Sequence, residues 1–556
     1  MGFVKNLNFR LYLLFWGITF AFYFITFRAG FVTDFMGWMH QFDNYSFKTV
    51  INSENYSIKS FYQFTHLIMY AMTSVFRISP VPWFLLFSSL FALNSLLVFK
   101  LFQKIFTALK LENGNLIAFI GVLFFMLSPY QAEVMVWRAS FHYLTAFAMM
   151  LGIVHLSLKY VEKPSNTFVF QAISIFFCSI FALEYFLFTP FFVLIILIFW
   201  FINFPNSFVL KKTAAYFVGI PLSMVGFYFI LYRFLNGKWV GHYGLDDKKS
   251  LISPQSFATY GKYVAKHLFF IRNLEHKTKE QILGYFDTPS VSWAILVGVF
   301  AAAILGIVFR EKMSVRGKII FLNFGLFSLL IAPVLTLYFS WALNSENDRY
   351  GYMPSAFLCM GVAVALSKLP KSIFYGISIV YILLSSVLLV KINRMWWKSE
   401  KVLSSCIKDF RWETADEVFV LAAPDNYAGV PIFRSDWVSS TLQECIETDR
   451  KHKLKTHIFD VMQYNLTTPQ DGVNVKVISE NELVVTLNQW GNWWFRKGVG
   501  AESYETADFI VKNDFDGCGR CYKLTMKNTK PNRAFIFQTG NVFKEIDWTK
   551  MGVEQR

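Results

Sequence analysis

Long apolar stretches recur along the first 390 residues, without the strict in-out alternation of barrel strands. Phe168–Ala182 and Tyr185–Ile202 follow one another with a single charge between them, Glu184. Uncharged runs near 20 residues cross ~30 Å of hydrocarbon as helices. A helix is one of the two structures that satisfy every backbone group there. The pattern predicts about eleven spans: Leu11–Phe27, Pro82–Phe102, Leu116–Leu127, Tyr143–Leu158, Phe168–Ala182, Tyr185–Ile202, Ala214–Leu231, Trp293–Phe309, Ile319–Tyr338, Pro354–Leu366 and Ile373–Val390. The fold class expected is an α-helical polytopic membrane protein. The first run reads as a span and not a signal peptide, because Arg28 follows directly and no small-residue cleavage pattern does.

After Val390 the pattern changes. Short β-like runs appear at Val418–Ala422, Val473–Ile478, Leu483–Leu487, Tyr522–Met526 and Ala534–Gln538. They predict a membrane module over 1–390 and a small α+β or mostly β domain over 391–556. Lys and Arg orient the chain. Lys5, Arg10, Lys100, Lys104, Lys159, Lys211, Lys212, Arg310, Lys312, Arg316, Lys318 and Lys368 all fall on one side if the spans alternate. That side is the cytoplasm, which puts the N-terminus inside and the tail in the periplasm or outside the cell.

Composition agrees: 55% hydrophobic, 19% aromatic and 16% charged, with 64 phenylalanines, against about 25% charged for soluble domains. The net charge of +16, concentrated in inner loops, suits anionic headgroups and not nucleic acid. No Walker or dinucleotide-binding sequence occurs, which argues against an ATP-driven pump. Cys178 and Cys359 read as packing residues. Cys406, Cys445, Cys518 and Cys521 lie in the tail, where a disulfide or free thiols outweigh a metal site that lacks a second ligand pair.

Ionisable groups at the outer rim are the candidates for chemistry. They are Asp34 and Asp43 in the first loop, Glu133, Arg138 and His142 between spans three and four, and Asp348-Arg349-Tyr350 before span ten. Glu184 lies at a tight turn. A carboxylate deprotonates an acceptor hydroxyl and an arginine neutralises a departing phosphate, which suits transfer from an anionic lipid. Equally, Asp34 is a helix cap and Arg349 a partner of Asp348 or a snorkelling side chain.

Several stretches resemble the GT-C glycosyltransferases, in the branch of the transmembrane-and-TPR O-mannosyltransferases and their bacterial relatives. They are Asp34, Ser60-Phe-Tyr-Gln-Phe through Phe91-Ala-Leu-Asn94, Ser128-Pro129 through Glu133-Val134 and Trp137, and Asp348-Arg349-Tyr350-Gly-Tyr352-Met-Pro354-Ser355. Position 130 is Tyr where relatives carry His, and Leu183 stands where they carry Lys. The resemblance implies inverting transfer of one sugar from a polyprenyl-phosphate donor to a surface glycan such as O-antigen, or to a protein, at the outer face of a bacterial inner membrane. It implies Asp34 as base, Glu133 orienting the acceptor or a bridging divalent cation, and Arg349 on the donor phosphate with Arg138, His142 and Tyr350 beside it. Asp43, Asp348 and Glu184 are secondary candidates, and no metal ligands are assigned. A lipid-sugar synthase and a flippase in the same pathway are the expected partners. The rival readings are a lipid-linked glycan transporter or flippase and a polysaccharide polymerase. Trp490, Trp493, Trp494 and Phe495 read as tail core or headgroup contacts before they read as sugar-stacking residues.

Overall fold

The computed structural model describes residues 7–44, 46–52, 61–204, 207–237, 239, 253–335, 345–433, 441–466, 472–487, 494–495, 498–499, 503–514, 518, 520–528, 530, 532–540 and 542–555. The chain forms two compact units. The first comprises Met1–Phe24, Ser46–Val136 and Ser140–Ile392; the second comprises Ile25–Tyr45, Trp137–Ala139 and Asn393–Arg556.

In the first unit each expected span lies on a helix, although the end of the one drawn to Tyr338 falls outside the described residues. Among the described residues eight helices, Lys371–Asp409 among them, are long and apolar enough to cross a membrane, and nine if Gly114–Met126 and Pro129–Val136, bent by 57°, form one span. These apolar helices mark a membrane protein. The expected count of about eleven includes two helices of 15 residues, Asn166–Ile180 and Tyr352–Leu366, which reach ~22 Å and fall short of ~30 Å of hydrocarbon. The first ends before Phe181 and Ala182, whose N–H groups close the helix on the Cys178 and Ser179 carbonyls.

The bend follows Leu127, where Pro129 cannot continue the hydrogen-bond ladder and starts a new turn instead. It buries Tyr130, Gln131 and Glu133. The Gln131 amide donates to the Ser355 hydroxyl at 2.9 Å, and on the helix Pro80–Ala108 Asn94 Nδ2 donates to the Leu144 carbonyl at 3.0 Å. Gly121 lets the Gly114–Met126 and Tyr352–Leu366 helices approach, since a Cβ there would lie 3.2 Å from the Met360 Cα.

The second unit is built on two sheets. Its strands are β1 (Glu417–Tyr427), β2 (Val430–Pro431), β3 (His457–Asp460), β4 (Met462–Leu466), β5 (Val473–Ser479), β6 (Glu482–Leu487), β7 (Trp494–Phe495), β8 (Gly498–Val499), β9 (Ser503–Glu505), β10 (Phe509–Asp514), β11 (Cys521–Met526), β12 (Arg533–Thr539), β13 (Val542–Glu545) and β14 (Glu554–Gln555). The first sheet runs β13-β12-β1-β4-β7-β8, with β2 and β3 also on β1. β1 is parallel to β3, β4 and β12, and the helix Thr441–Arg450 crosses over between β1 and β3. After Glu417 every residue of β1 is buried, the continuous burial expected of a strand covered on both faces. Phe419 lies in register with Phe459 and Phe535 and stacks on both, with ring centroids 4.9 and 5.0 Å away. The second sheet, β14-β5-β6-β11-β10-β9, is antiparallel, and β6 and β10 show the alternating burial of strands with one open face. The unit is thus α+β, with each of the five expected strands present.

Cys518 and Cys521 form a disulfide, while Cys406 and Cys445 are free and buried. Burial pushes the Cys445 thiol well above its usual value, which leaves it unreactive. Trp490 and Trp493 lie outside the described residues, and the backbone of Trp494 and Phe495 forms β7.

Candidate functional site

Glu133 and Arg349, 216 residues apart, meet in the helical unit. The short helix Ala132–Val136 after the bend carries Glu133, and the 3-10 turn Ser345–Gly351 carries Arg349. Glu133 Oε1 accepts from Arg349 Nη1 at 2.6 Å and Oε2 accepts from the Arg349 backbone N–H at 2.8 Å. One carboxylate therefore fixes both the guanidinium and the turn that bears it. Arg349 Nη2 lies 3.2 Å from the Tyr350 hydroxyl, and the guanidinium sits 4.7 Å from the Tyr350 ring centroid. The arginine side chain keeps 20% of its exposure.

Beside this clamp, Asp348 pairs with Lys266, and both side chains are fully buried. Lys266 comes from the helix Pro254–Phe269, which lies between the expected spans Ala214–Leu231 and Trp293–Phe309. Its ammonium lies 5.4 Å from the Tyr130 ring and 5.5 Å from the Tyr263 ring. His267 packs edge-on to Tyr130 and against Gly351, where a Cβ would lie 2.3 Å from its Nε2. Burial and then neighbouring Lys266 push the His267 imidazole down to about 3, so it stays neutral near pH 7. Lys262, one turn earlier, pairs with Asp287 at 2.5 Å. The available signal was spacing: Lys262 with Lys266, and Tyr263 with His267, each recur at i, i+4 after a Ser253-Pro254 helix start.

The other candidates in this unit surround the tyrosines. His142 is half-buried with its ring 4.7 Å from Tyr143, which in turn lies 6.2 Å from both Tyr350 and Tyr185. Glu184 accepts a short hydrogen bond from the Tyr62 hydroxyl.

Asp34, Asp43 and Arg138 belong to the second unit. Asp34 is exposed and opens the helix Asp34–Asn44, where a negative charge meets the positive end of the helix dipole. Asp43 is exposed in its last turn. This helix packs on Thr441–Arg450, with His40 Nδ1 3.5 Å from Glu447. Arg138 is fully buried: its backbone N–H donates to the Gly30 carbonyl at 3.0 Å, Nη2 donates to the Phe27 carbonyl at 3.3 Å, and its guanidinium lies 5.6 Å from the Phe31 ring. Together with Trp137 Nε1, which donates to the Val32 carbonyl at 3.2 Å, it fastens the Phe27–Thr33 segment that leads into Asp34.

Among the described residues no group of three or more His, Cys, Asp or Glu side chains is placed to hold a metal ion. The chain matches no protein-family model and no curated protein.

Proposed function

We propose that this protein transfers one sugar from a polyprenyl-phosphate donor to an acceptor hydroxyl at the outer face of a bacterial inner membrane, with inversion at the anomeric carbon. The observation that carries the reading is the Glu133–Arg349 clamp. It presents an arginine pre-oriented at its backbone N–H and at Nη1, whose side chain keeps 20% of its exposure. A guanidinium held in this way suits a phosphate whose charge grows as it leaves.

In the reaction the acceptor oxygen forms a bond to the anomeric carbon as the bond from that carbon to the phosphate oxygen breaks. The bonding pair leaves on the phosphate, where Arg349 meets it, and the acceptor proton passes to a general base, the role that the resemblance implies for Asp34. Glu133 and Tyr350 position Arg349, and Arg138 positions the segment preceding Asp34. A surface glycan such as O-antigen is the preferred acceptor.

The test is transfer of label from a polyprenyl-phosphate sugar in proteoliposomes. Arg349→Ala loses ~2–4 kcal/mol of transition-state stabilisation, and Asp34→Asn abolishes turnover, each in protein that remains folded and monodisperse. Undiminished transfer by either variant overturns its assignment, and flux of the lipid-linked sugar without covalent transfer overturns the reading as a whole.

A further inference from the structure

We propose that a groove in the helical unit binds an anionic phospholipid, with an acyl chain in its apolar interior and the headgroup phosphate at Arg310 and Lys318. The site is separate from the Glu133–Arg349 clamp and does not depend on the transfer reaction.

The groove lies between the helices Thr189–Asn203, Pro289–Val308 and Val315–Ile331 and has a volume of about 440 Å³. Ligand sites run from roughly 300 to 1,000 Å³. Ile195, Ile198, Phe199, Ile307, Phe321 and Leu322 supply its apolar walls. Ile307 is 61% exposed, so this wall opens outward, towards hydrocarbon in a membrane. Glycines shape the interior. The Phe321 ring covers Gly306, where a Cβ would lie 2.0 Å from it, whereas a Cβ on Gly325 would meet nothing within 4 Å.

The polar groups gather at one end. Asn203 closes the first helix, Arg310 follows the second, and Lys318 sits in the first turn of the third. Ile195 lies eight residues from Asn203, ~12 Å along the helix at 1.5 Å per residue. The groove therefore has a charged mouth and a deep apolar run, the two-part chemistry of a lipid. Lys318 donates to Asn203 Oδ1 at 3.1 Å, which uses one of its three ammonium donors. The connection from Arg310 to Lys318 carries Arg310, Lys312, Arg316 and Lys318 against a single acid, Glu311, which lies 4.0 Å from the Arg310 guanidinium. That excess favours a headgroup with net negative charge over a zwitterionic one, as basic pockets between membrane helices do on the cytoplasmic side.

Native mass spectrometry of the full-length protein, titrated with phosphatidylglycerol and with phosphatidylcholine, tests this. The wild type is expected to retain one phosphatidylglycerol about 30-fold more tightly, from two basic groups at about the contribution of one Lys or Arg each near an anionic surface. Arg310→Gln with Lys318→Gln brings the two lipids to near parity. Gly325→Phe, which fills the groove without changing charge, lowers retention of both. Equal retention by the wild type, a preference that survives the double glutamine variant, or retention unaffected by Gly325→Phe each overturns the proposal.

Discussion

Replacing Glu133 with glutamine keeps the shape of the side chain and removes its charge and one of its two acceptors. The wild-type carboxylate takes a bond from the Arg349 backbone N–H at 2.8 Å and another from Nη1 at 2.6 Å. The glutamine oxygen takes one of them in a neutral, weaker form, and its NH₂ group confronts the other donor. Hydrogen bonds to charged groups contribute about 1.5–3 kcal/mol and neutral ones about 1. Losing one charged bond and weakening the second therefore costs about 2–5 kcal/mol. The upper range reported for broken buried pairs, about 3–5 kcal/mol, does not apply in full, because Arg349 retains 20% exposure and water takes part of the load. The assay is unfolding of detergent-purified protein at one fixed scan rate, where 1 kcal/mol moves a midpoint by roughly 2–4 °C in domains of 150–250 residues. A drop of several degrees is expected. Adding Arg349→Met to Glu133→Gln should cost less than the sum of the single changes, since both delete one interaction. A Glu133→Gln midpoint within about 1 °C of wild type, or strict additivity in the double variant, refutes the clamp.

Lys266→Met strands the Asp348 carboxylate in a fully buried site and should destabilise by about 3–5 kcal/mol, while Lys266→Met with Asp348→Leu should recover much of the loss; the same unfolding assay checks both. Gly351→Ala puts a Cβ 2.3 Å from His267 Nε2, and overpacking of this kind costs ~1–3 kcal/mol; pairing it with His267→Ala relieves the clash, and no relief in the double variant contradicts the contact. In the second unit the Lys530 hydrogen bond, and then Arg533, hold the Asp508 carboxyl below its usual value. The unfolded chain therefore binds the proton first as pH falls from about 4. The stability this group adds is complete above that pH and fades as pH drops through the lower folded value. Proteolytic resistance of wild type over Asp508→Asn should thus be greatest near neutrality and shrink below pH ~4, and a difference independent of pH contradicts the assignment.

Helix placement was legible in the sequence because a backbone in hydrocarbon has no water to bond, so an apolar run must coil wherever it lies. Burial on both faces likewise wrote β1 as a continuous apolar run, and one open face wrote β6 and β10 as alternation. Glu133 and Arg349 stood out as rim charges for the same local reason. Their partnership did not, and neither did that of Lys266 with Asp348. Nothing within a segment records which distant segment lies beside it, and a lysine in a polar loop reads as solvated until the fold buries it. The parallel pairing of β1 with β3 and β12, and the joining of Asp34–Asn44 to the tail unit, are of the same kind. Desolvation acts on each residue alone and so leaves its mark along the chain, whereas the choice of partner is settled only when packing brings remote groups together and each buried charge must find its counter-charge.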